Sequence, residues 1–291
     1  VAEKGIIPAG WSDGLGHTDP AKMPALVQSN AWGVLPWGGA AAVHDQANLG
    51  WEVVLSTPDA LYFDFPYEAD PKEGGYYWAA RRVNTRKVFE LMPDNLPAMA
   101  ELWKDPNEQP FTIDDTAPMS EGVSVIGIQG QVWSETLSSD DMLLYMVFPR
   151  LFALAERAWH EADWELAYDR TGASYGPETD HFSADMEAAR DADWARFATI
   201  IAEKEMPKLD SAGVPYRVPT VGARIEDGVL EANTIFPGLA IEYREAGGAW
   251  RPYTGSTAVE GAVEIRARSG DGTRPGRSLP VTLEQDPEDG S

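Results

Sequence analysis

The chain has 291 residues, 43% of them hydrophobic, enough for a sizeable core and for two domains. Its 47 Asp and Glu against 23 Lys and Arg give a net charge of −24, which excludes the basic footprint of a nucleic-acid binder and disfavours polyanionic substrates. Without cysteine there is no disulfide framework and no thiolate metal site, and no apolar run approaches the roughly 18–20 residues of a membrane span.

The first predicted element lies in "GIIPAGWSDGLG", a strand from Gly5 that ends at Trp11 and runs into a Gly-rich loop. Neither an initiator Met nor a signal peptide precedes it, so the chain is expected to begin inside a larger fold. A second strand and loop follow in "ALVQSNAWGVLPWGG". The helical stretch "AAAVHDQANLG" then ends at a glycine, as a helix C-terminus should. "WEVVLSTPDALYFDF" supplies the third strand. A long insertion, Glu68 to Glu121, is rich in Pro and acids and carries a helical patch near Trp78–Phe89. The fourth strand, in "VSVIGIQGQVWSET", leads to "DDMLLYMVFPRLFALAERAWH", whose apolar spacing predicts one long buried helix. "DADWARFATIIAEKEMPKLDSAG" reads as a single amphipathic helix. From Gly213 onward, short β-branched runs separated by Glu-Asp-Gly, Ala-Gly-Gly and Gly-Asp-Gly predict a small antiparallel sandwich, and the tail "EQDPEDGS" is expected to fray.

Strands that alternate with helices predict a parallel sheet, and four such units are half of a (β/α)8 barrel. The expected fold class is therefore α/β: half of a TIM barrel over residues 1–212, then an all-β, immunoglobulin-like sandwich over 213–291. Half a barrel leaves two open sheet edges, so it is not expected to be a finished domain.

Trp11, Trp32, Trp37, Tyr62, Asp64, Trp78, Trp133 and Glu135 crowd the loops after the strands, where such a barrel keeps its active site. Within "LYFDFPY", Tyr62 and Asp64 stand two residues apart and project to the same side of an extended segment. Trp133 and Glu135 repeat that aromatic–spacer–acid pattern. Aromatic rings stack on the apolar faces of pyranose rings and carboxylates accept from sugar hydroxyls, so the pattern predicts a carbohydrate pocket. The four histidines (His17, His44, His160 and His181) lack metal-ligand spacing, "GLG" lacks the Lys-Ser/Thr of a phosphate loop, and no GxSxG elbow occurs. No cofactor is expected. Arg81 and Arg82 are read as loop ion pairs.

"AWGVLPWGG", "LYFDFPYEADPKEGGYYW", "GIQGQVWSETL" and "FPRLFALAERAWH" resemble the second half of the catalytic barrel of glycoside hydrolase family 20, in particular its bacterial chitobiase-like β-N-acetylhexosaminidases. "VPYRVPTVGARIEDGVLEAN" resembles the small C-terminal domain of those enzymes. The resemblance implies substrate-assisted retaining hydrolysis, in which the substrate's own acetamido oxygen attacks the anomeric carbon. Tyr62 would hold that oxygen, and Asp64 and Glu135 would bind hydroxyls of the terminal sugar. Trp11, Trp32 and Trp133 would wall it, and Trp78 would stack on the next sugar. The family's general acid is a Glu directly after an Asp, and the chain contains no such adjacent pair; Asp163-Trp164-Glu165 and Asp114-Asp115 lie in helical or insertion segments. The resemblance thus implies the C-terminal part of an enzyme that releases N-acetylglucosamine from chitobiose and chitin oligosaccharides. Its partner would be the missing N-terminal half of the barrel, and residues 1–291 alone are expected to be inactive. The implied location is periplasmic, outer-membrane-associated or secreted. The alternative is a non-catalytic carbohydrate-binding protein that retains the aromatic pocket.

Overall fold

A computed structural model describes residues 2–282, so the expected fraying of the tail "EQDPEDGS" lies outside the described residues. The chain forms two compact units that divide between Arg190 and Asp191.

In the first unit, β1 (Ala9–Trp11), β2 (Gln28–Ala31), β3 (Glu52–Leu55) and β4 (Gly127–Ile128) form one sheet in that order. Every pairing is parallel: Gly10 lies beside Ser29, Asn30 beside Val54, and Leu55 beside Ile128. Sequential parallel strands with crossovers between them form part of a (β/α)8 barrel. Ser29, Ala31, Val53 and Leu55 are buried, as a parallel sheet covered on its faces requires. Helix α1 (Gly39–Asn48) makes the second crossover and buries Ala40, Val43 and Ala47. It begins where Gly39 meets the Gly33 backbone so closely that an added Cβ would come within 2.4 Å of the Gly33 carbonyl oxygen.

The strand expected from Gly5 is confined to Ala9–Trp11; Pro8 precedes it, and Ile6 and Ile7 are exposed outside it. The insertion is a packed element rather than a surface excursion, since Ala79, Val83, Val88, Phe89, Leu91 and Met99 are all buried. Its helical patch is shorter than expected. Trp78 to Asn84 is irregular, and α2 (Thr85–Phe89) starts only where the Asn84 side chain accepts the Lys87 N–H at 2.8 Å.

The predicted long buried helix is two helices, α3 (Asp140–Val147) and α4 (Arg150–Trp159). Pro149 separates them, because proline cannot supply the N–H that a continuous helix needs. Burial is narrower than expected too, limited to Met146 on α3 and to Arg150, Ala153 and Arg157 on α4.

Helix α5 (Ala184–Ile200) starts earlier than the sequence suggests, after Ser183 accepts the Met186 N–H. It continues through a π-turn at Ile201–Glu205 into Met206–Ser211, so the predicted single helix runs on through one widened turn. Pro207, at the start of that last segment, lacks a donor and crowds the preceding turn, which is where a widened turn is accommodated. The division at Arg190 falls inside α5, whereas the sequence boundary at Gly213 marks the end of the helical segments.

The second unit carries two antiparallel sheets. One contains β5 (Val221–Glu226), β6 (Val229–Thr234) and β9 (Thr257–Ala258) in the order 9-6-5. The other contains β7 (Ile241–Glu245), β8 (Arg251–Tyr253), β10 (Val263–Ala267) and β11 (Leu279–Val281) in the order 8-7-10-11. The Glu-Asp-Gly signal is the hairpin turn between β5 and β6: Asp227 and Gly228 both have positive φ, 49° and 72°, as a tight hairpin of matching twist requires. Val221, Ile225, Leu230, Tyr243, Val263 and Ile265 fill the core between the sheets.

Candidate active site

The carboxyl ends of the four parallel strands deliver the predicted side chains to one place. Trp11 ends β1, Trp32 follows β2, and Tyr62 follows the short helical turn Pro58–Leu61 after β3. Tyr62 then bridges in parallel to Gln131, Phe63 donates its N–H to the Gln131 carbonyl at 2.7 Å, and Gln131 donates to Leu61 at 2.8 Å. This restored pairing, beyond the end of β4, sets the Tyr62–Asp64 segment beside the one that leads to Trp133 and Glu135.

Together they line a cavity of about 310 Å³ whose walls include Trp11, Trp32, Tyr62, Trp78 and Trp133, with Asp64 and Glu135 as polar groups. All seven predicted site residues therefore share one pocket. The Trp11 and Trp133 rings lie 5.5 Å apart, Tyr62 packs edge-on to Trp133 at 5.8 Å and to Trp78 at 6.1 Å, and Trp32 meets Trp78 at 6.3 Å. Trp37 does not line the pocket; it is 64% exposed and stacks on Trp78 at 6.4 Å.

Tyr62 and Asp64 are both buried, at 4% and 3% exposure. Burial pushes the Tyr62 phenol up to about 12, with the Trp133 indole opposing and the Asp64 and Asp13 charges adding, so the hydroxyl stays a neutral donor through the physiological range. Burial also holds the Asp64 carboxyl above the usual carboxylate range, and the Glu135 charge adds to this. The backbone N–H of Trp133 and the charge of Arg150 oppose it. Oδ1 of Asp64 is buried without a hydrogen-bond partner in the protein. A buried acceptor left unpaired is costly unless a ligand donor satisfies it.

Three residues of the site lie outside the sequence reading. Asp13 lines the pocket and accepts the Trp32 indole N–H at 3.0 Å, and that bond holds its carboxyl below the usual range. The signal for it was present: Trp11-Ser12-Asp13 is a third aromatic–spacer–acid triplet. Tyr76 enters from the insertion. Arg150 lies behind the pocket, fully buried, and donates to the Phe63 carbonyl at 2.7 Å and the Phe65 carbonyl at 2.8 Å, so it grips the chain on both sides of Asp64. Gly75, at φ +113°, also approaches so closely that a Cβ would come within 2.0 Å of the Asp64 carbonyl oxygen. The carboxylate thus sits on a backbone packed against Gly75 and gripped by Arg150.

Among the described residues no group of three His, Cys, Asp or Glu is placed to hold a metal ion, and no helix is long and apolar enough to cross a membrane. Arg82 pairs with Glu108 at 3.5 Å, while Arg81 covers the Tyr77 ring at 4.6 Å. What remains in the pocket is a neutral phenol donor, an unpaired buried acceptor, two further carboxylates and aromatic walls. Such a lining suits an uncharged, polyhydroxylated ring.

Parallel strands of a partial (β/α)8 barrel with aromatic residues at their carboxyl ends, followed by an antiparallel sandwich, define a two-part, barrel-and-sandwich class of protein. Residues 1–162 match the glycosyl hydrolase family 20 catalytic domain, and residues 205–278 match the chitobiase/beta-hexosaminidase C-terminal domain. The chain belongs to glycosyl hydrolase family 20. It is 50% identical over 200 residues to beta-hexosaminidase B of Pseudoalteromonas piscicida, covering 68% of this chain and 26% of that protein. It is 40% identical over 286 residues to N,N'-diacetylchitobiase of Vibrio harveyi, covering 97% of this chain and 32% of that protein. Beta-hexosaminidase of Vibrio vulnificus is 40% identical over 288 residues, covering 96% of this chain and 33% of that protein. The chain spans about a quarter to a third of the length of these relatives.

Proposed function

We propose that the chain forms one wall of the active site of a chitobiase-type β-N-acetylhexosaminidase, which releases terminal non-reducing N-acetylglucosamine from chitobiose and chitin oligosaccharides with retention of configuration. The carrying observation is the buried pair Tyr62 and Asp64: a neutral phenol and an unpaired carboxylate oxygen side by side in an aromatic pocket. In this reading the Tyr62 hydroxyl donates to the substrate's acetamido oxygen. That oxygen attacks the anomeric carbon as the glycosidic bond breaks, and an oxazolinium ring forms that water then opens. Asp64 and Glu135 accept from hydroxyls of the terminal sugar, while Trp11, Trp32 and Trp133 enclose it. The Asp-Glu pair that protonates the leaving oxygen and steadies the acetamido nitrogen comes from residues outside these 291. We divide the chain for this purpose into a barrel part, 1–212, and a sandwich, 213–291. Because the substrates are oligomers shed from a polymer, the enzyme is assigned to the periplasm, the outer membrane or the medium.

The test is NMR of chitobiose cleavage by the full-length protein, where the N-acetylglucosamine released from the non-reducing end should form first as the β-anomer. Inversion would remove the substrate-assisted route, and binding without cleavage would favour the carbohydrate-binding alternative. Residues 1–291 alone should give no turnover, since general acid–base catalysis supplies about 10²–10⁴-fold.

Trp78, 44% exposed on the pocket rim, is assigned to the leaving-group sugar. In the full-length enzyme Trp78→Ala is expected to lower kcat/KM for chitobiose about tenfold more than for an aryl glycoside without a second sugar, about 1.4 kcal/mol. Equal losses on both substrates would place Trp78 elsewhere.

A further inference from the structure

We propose that Asp59, a buried carboxylate that does not line the sugar pocket, is a positioning residue that sets how tightly the pocket closes on the substrate's N-acyl group. It does so by stapling the loop that carries Trp32 to the segment that carries Tyr62. In the function proposed above, on which this assignment rests, Tyr62 holds the acyl oxygen and Trp32 is one of the enclosing walls. Asp59 deepens that reading by giving acyl selectivity to a residue that never meets the substrate.

The two segments meet at one carboxylate oxygen. Asp59 is 3% exposed and sits in the helical turn Pro58–Leu61, directly before Tyr62. Its Oδ2 accepts the backbone N–H of Leu35 at 3.1 Å and the Thr57 hydroxyl at 2.7 Å. That hydroxyl is shared with the Gly33 carbonyl at 3.3 Å, so the stretch after Trp32 is tied at two points. Leu35 opens the short turn Leu35–Trp37, where the first N–H groups have no partner within the turn. Asp59 supplies the missing acceptor from the next strand–helix unit. Gly33 is also in backbone contact with Gly39: a Cβ on Gly33 would come within 2.7 Å of the Gly39 Cα, which leaves the loop little slack. Trp32 has further ties to the loop after β1, where its N–H reaches Ser12 Oγ at 3.3 Å and its indole reaches Asp13 at 3.0 Å. The Asp59 staple adds the tie to β3, and so fixes Trp32 relative to Tyr62.

Two neutral donors could be met by a neutral acceptor, so a buried carboxylate here needs a reason. An ionised acceptor makes shorter and stronger hydrogen bonds. Its charge is costly in the interior: burial holds the Asp59 carboxyl above the usual carboxylate range, and the Lys87 charge opposes this, followed by the Thr57 and Leu35 donors. Lys87 comes from α2 in the insertion and stands 4.9 Å from the centre of the Trp103 ring. Burial pushes its ammonium below the ordinary lysine value, and the Asp59 charge opposes that in turn. The insertion thus provides the countercharge for the staple.

The experiment compares kcat/KM of the full-length enzyme for 4-nitrophenyl N-acetyl-β-D-glucosaminide and for its N-propionyl analogue. The two acyl oxygens have nearly the same nucleophilicity, so the ratio reads the fit of one methylene, worth about 10–200-fold in a closed pocket. Asp59→Ala is expected to lower the acetyl preference about tenfold and Thr57→Val about threefold, whereas Asp59→Asn, which keeps an oxygen in the place of Oδ2, should stay within about twofold of wild type. In a Trp32→Ala background Asp59→Ala should leave the ratio unchanged, because the wall it positions is gone. A merely structural Asp59 would lower Tm and both rates together at constant ratio, and that result would overturn the proposal. So would an undiminished effect of Asp59→Ala in the Trp32→Ala background, or a wild type without acetyl preference. If Asp59→Ala does not fold, Thr57→Val decides, and an unchanged ratio in that variant overturns the proposal. Wild-type protein that cleaves neither glycoside would instead sink the function on which the assignment rests.

Discussion

Tyr62→Phe in the full-length enzyme is expected to lower kcat about 100-fold with little change in KM, while the circular dichroism spectrum stays that of the wild type. The substitution keeps the ring, and with it the edge-on contacts to Phe65 at 5.7 Å, Trp133 at 5.8 Å and Trp78 at 6.1 Å. It removes only the hydroxyl. In the proposed reaction that hydroxyl holds the amide oxygen in line with the anomeric carbon, an alignment the transition state requires and the bound ground state does not. Interactions that strengthen on the way to the transition state appear in kcat, whereas uniform binding appears in KM.

Deleting one preorganised donor costs about 10²–10³ in kcat; the lower end is expected because, in the proposed reaction, an Asp outside this chain shares the task. The pH dependence has a fixed sign. A phenol donates only while protonated, and burial pushes this one up to about 12, so the donor persists on the whole alkaline side of neutrality. Any alkaline loss of activity below that value therefore arises from another group and should persist in Tyr62→Phe. A folded variant within about twofold of wild-type kcat would show that Tyr62 only packs.

The site was legible in the sequence where it depended on local spacing. Tyr62-x-Asp64 and Trp133-x-Glu135 are adjacent in the fold because their strands pair in parallel and both motifs follow the carboxyl ends, a consequence of alternating strands and helices. Asp13 obeys the same spacing and could have been found from it. The break at Pro149 was also written in the chain, where the apolar periodicity masked it. Arg150 was not legible in this way. Its partners lie 87 and 85 residues earlier, and nothing in "FPRLFALAERAWH" tells that the first helical residue reaches a loop in another crossover. Tyr76 belongs with it, since a residue in an irregular insertion has no period from which its direction can be read.

Arg150 carries the other large expected effect, as a positioning residue that acts through Asp64. Its guanidinium is completely buried, spans the carbonyls of Phe63 and Phe65, and lies 3.4 Å from the centre of the Tyr67 ring. Arg150→Met removes the donors of two buried carbonyls at about 1–3 kcal/mol each, so the full-length protein should lose about 2–6 kcal/mol of stability in urea unfolding. That loss alone would follow from a purely structural role. The distinguishing measurement is the acid limb of kcat/KM. Asp64 already holds its proton more tightly than an ordinary carboxyl because it is buried, and the Arg150 charge works in the opposite direction. Without that charge Asp64 binds its proton more tightly still, loses its full acceptor strength at higher pH, and the acid limb moves to higher pH. Arg150→Lys keeps the charge but cannot present a rigid fork to both carbonyls, so it should lower stability while returning the acid limb towards wild type. An acid limb that stays in place in Arg150→Met, with stability reduced, would confine Arg150 to the scaffold.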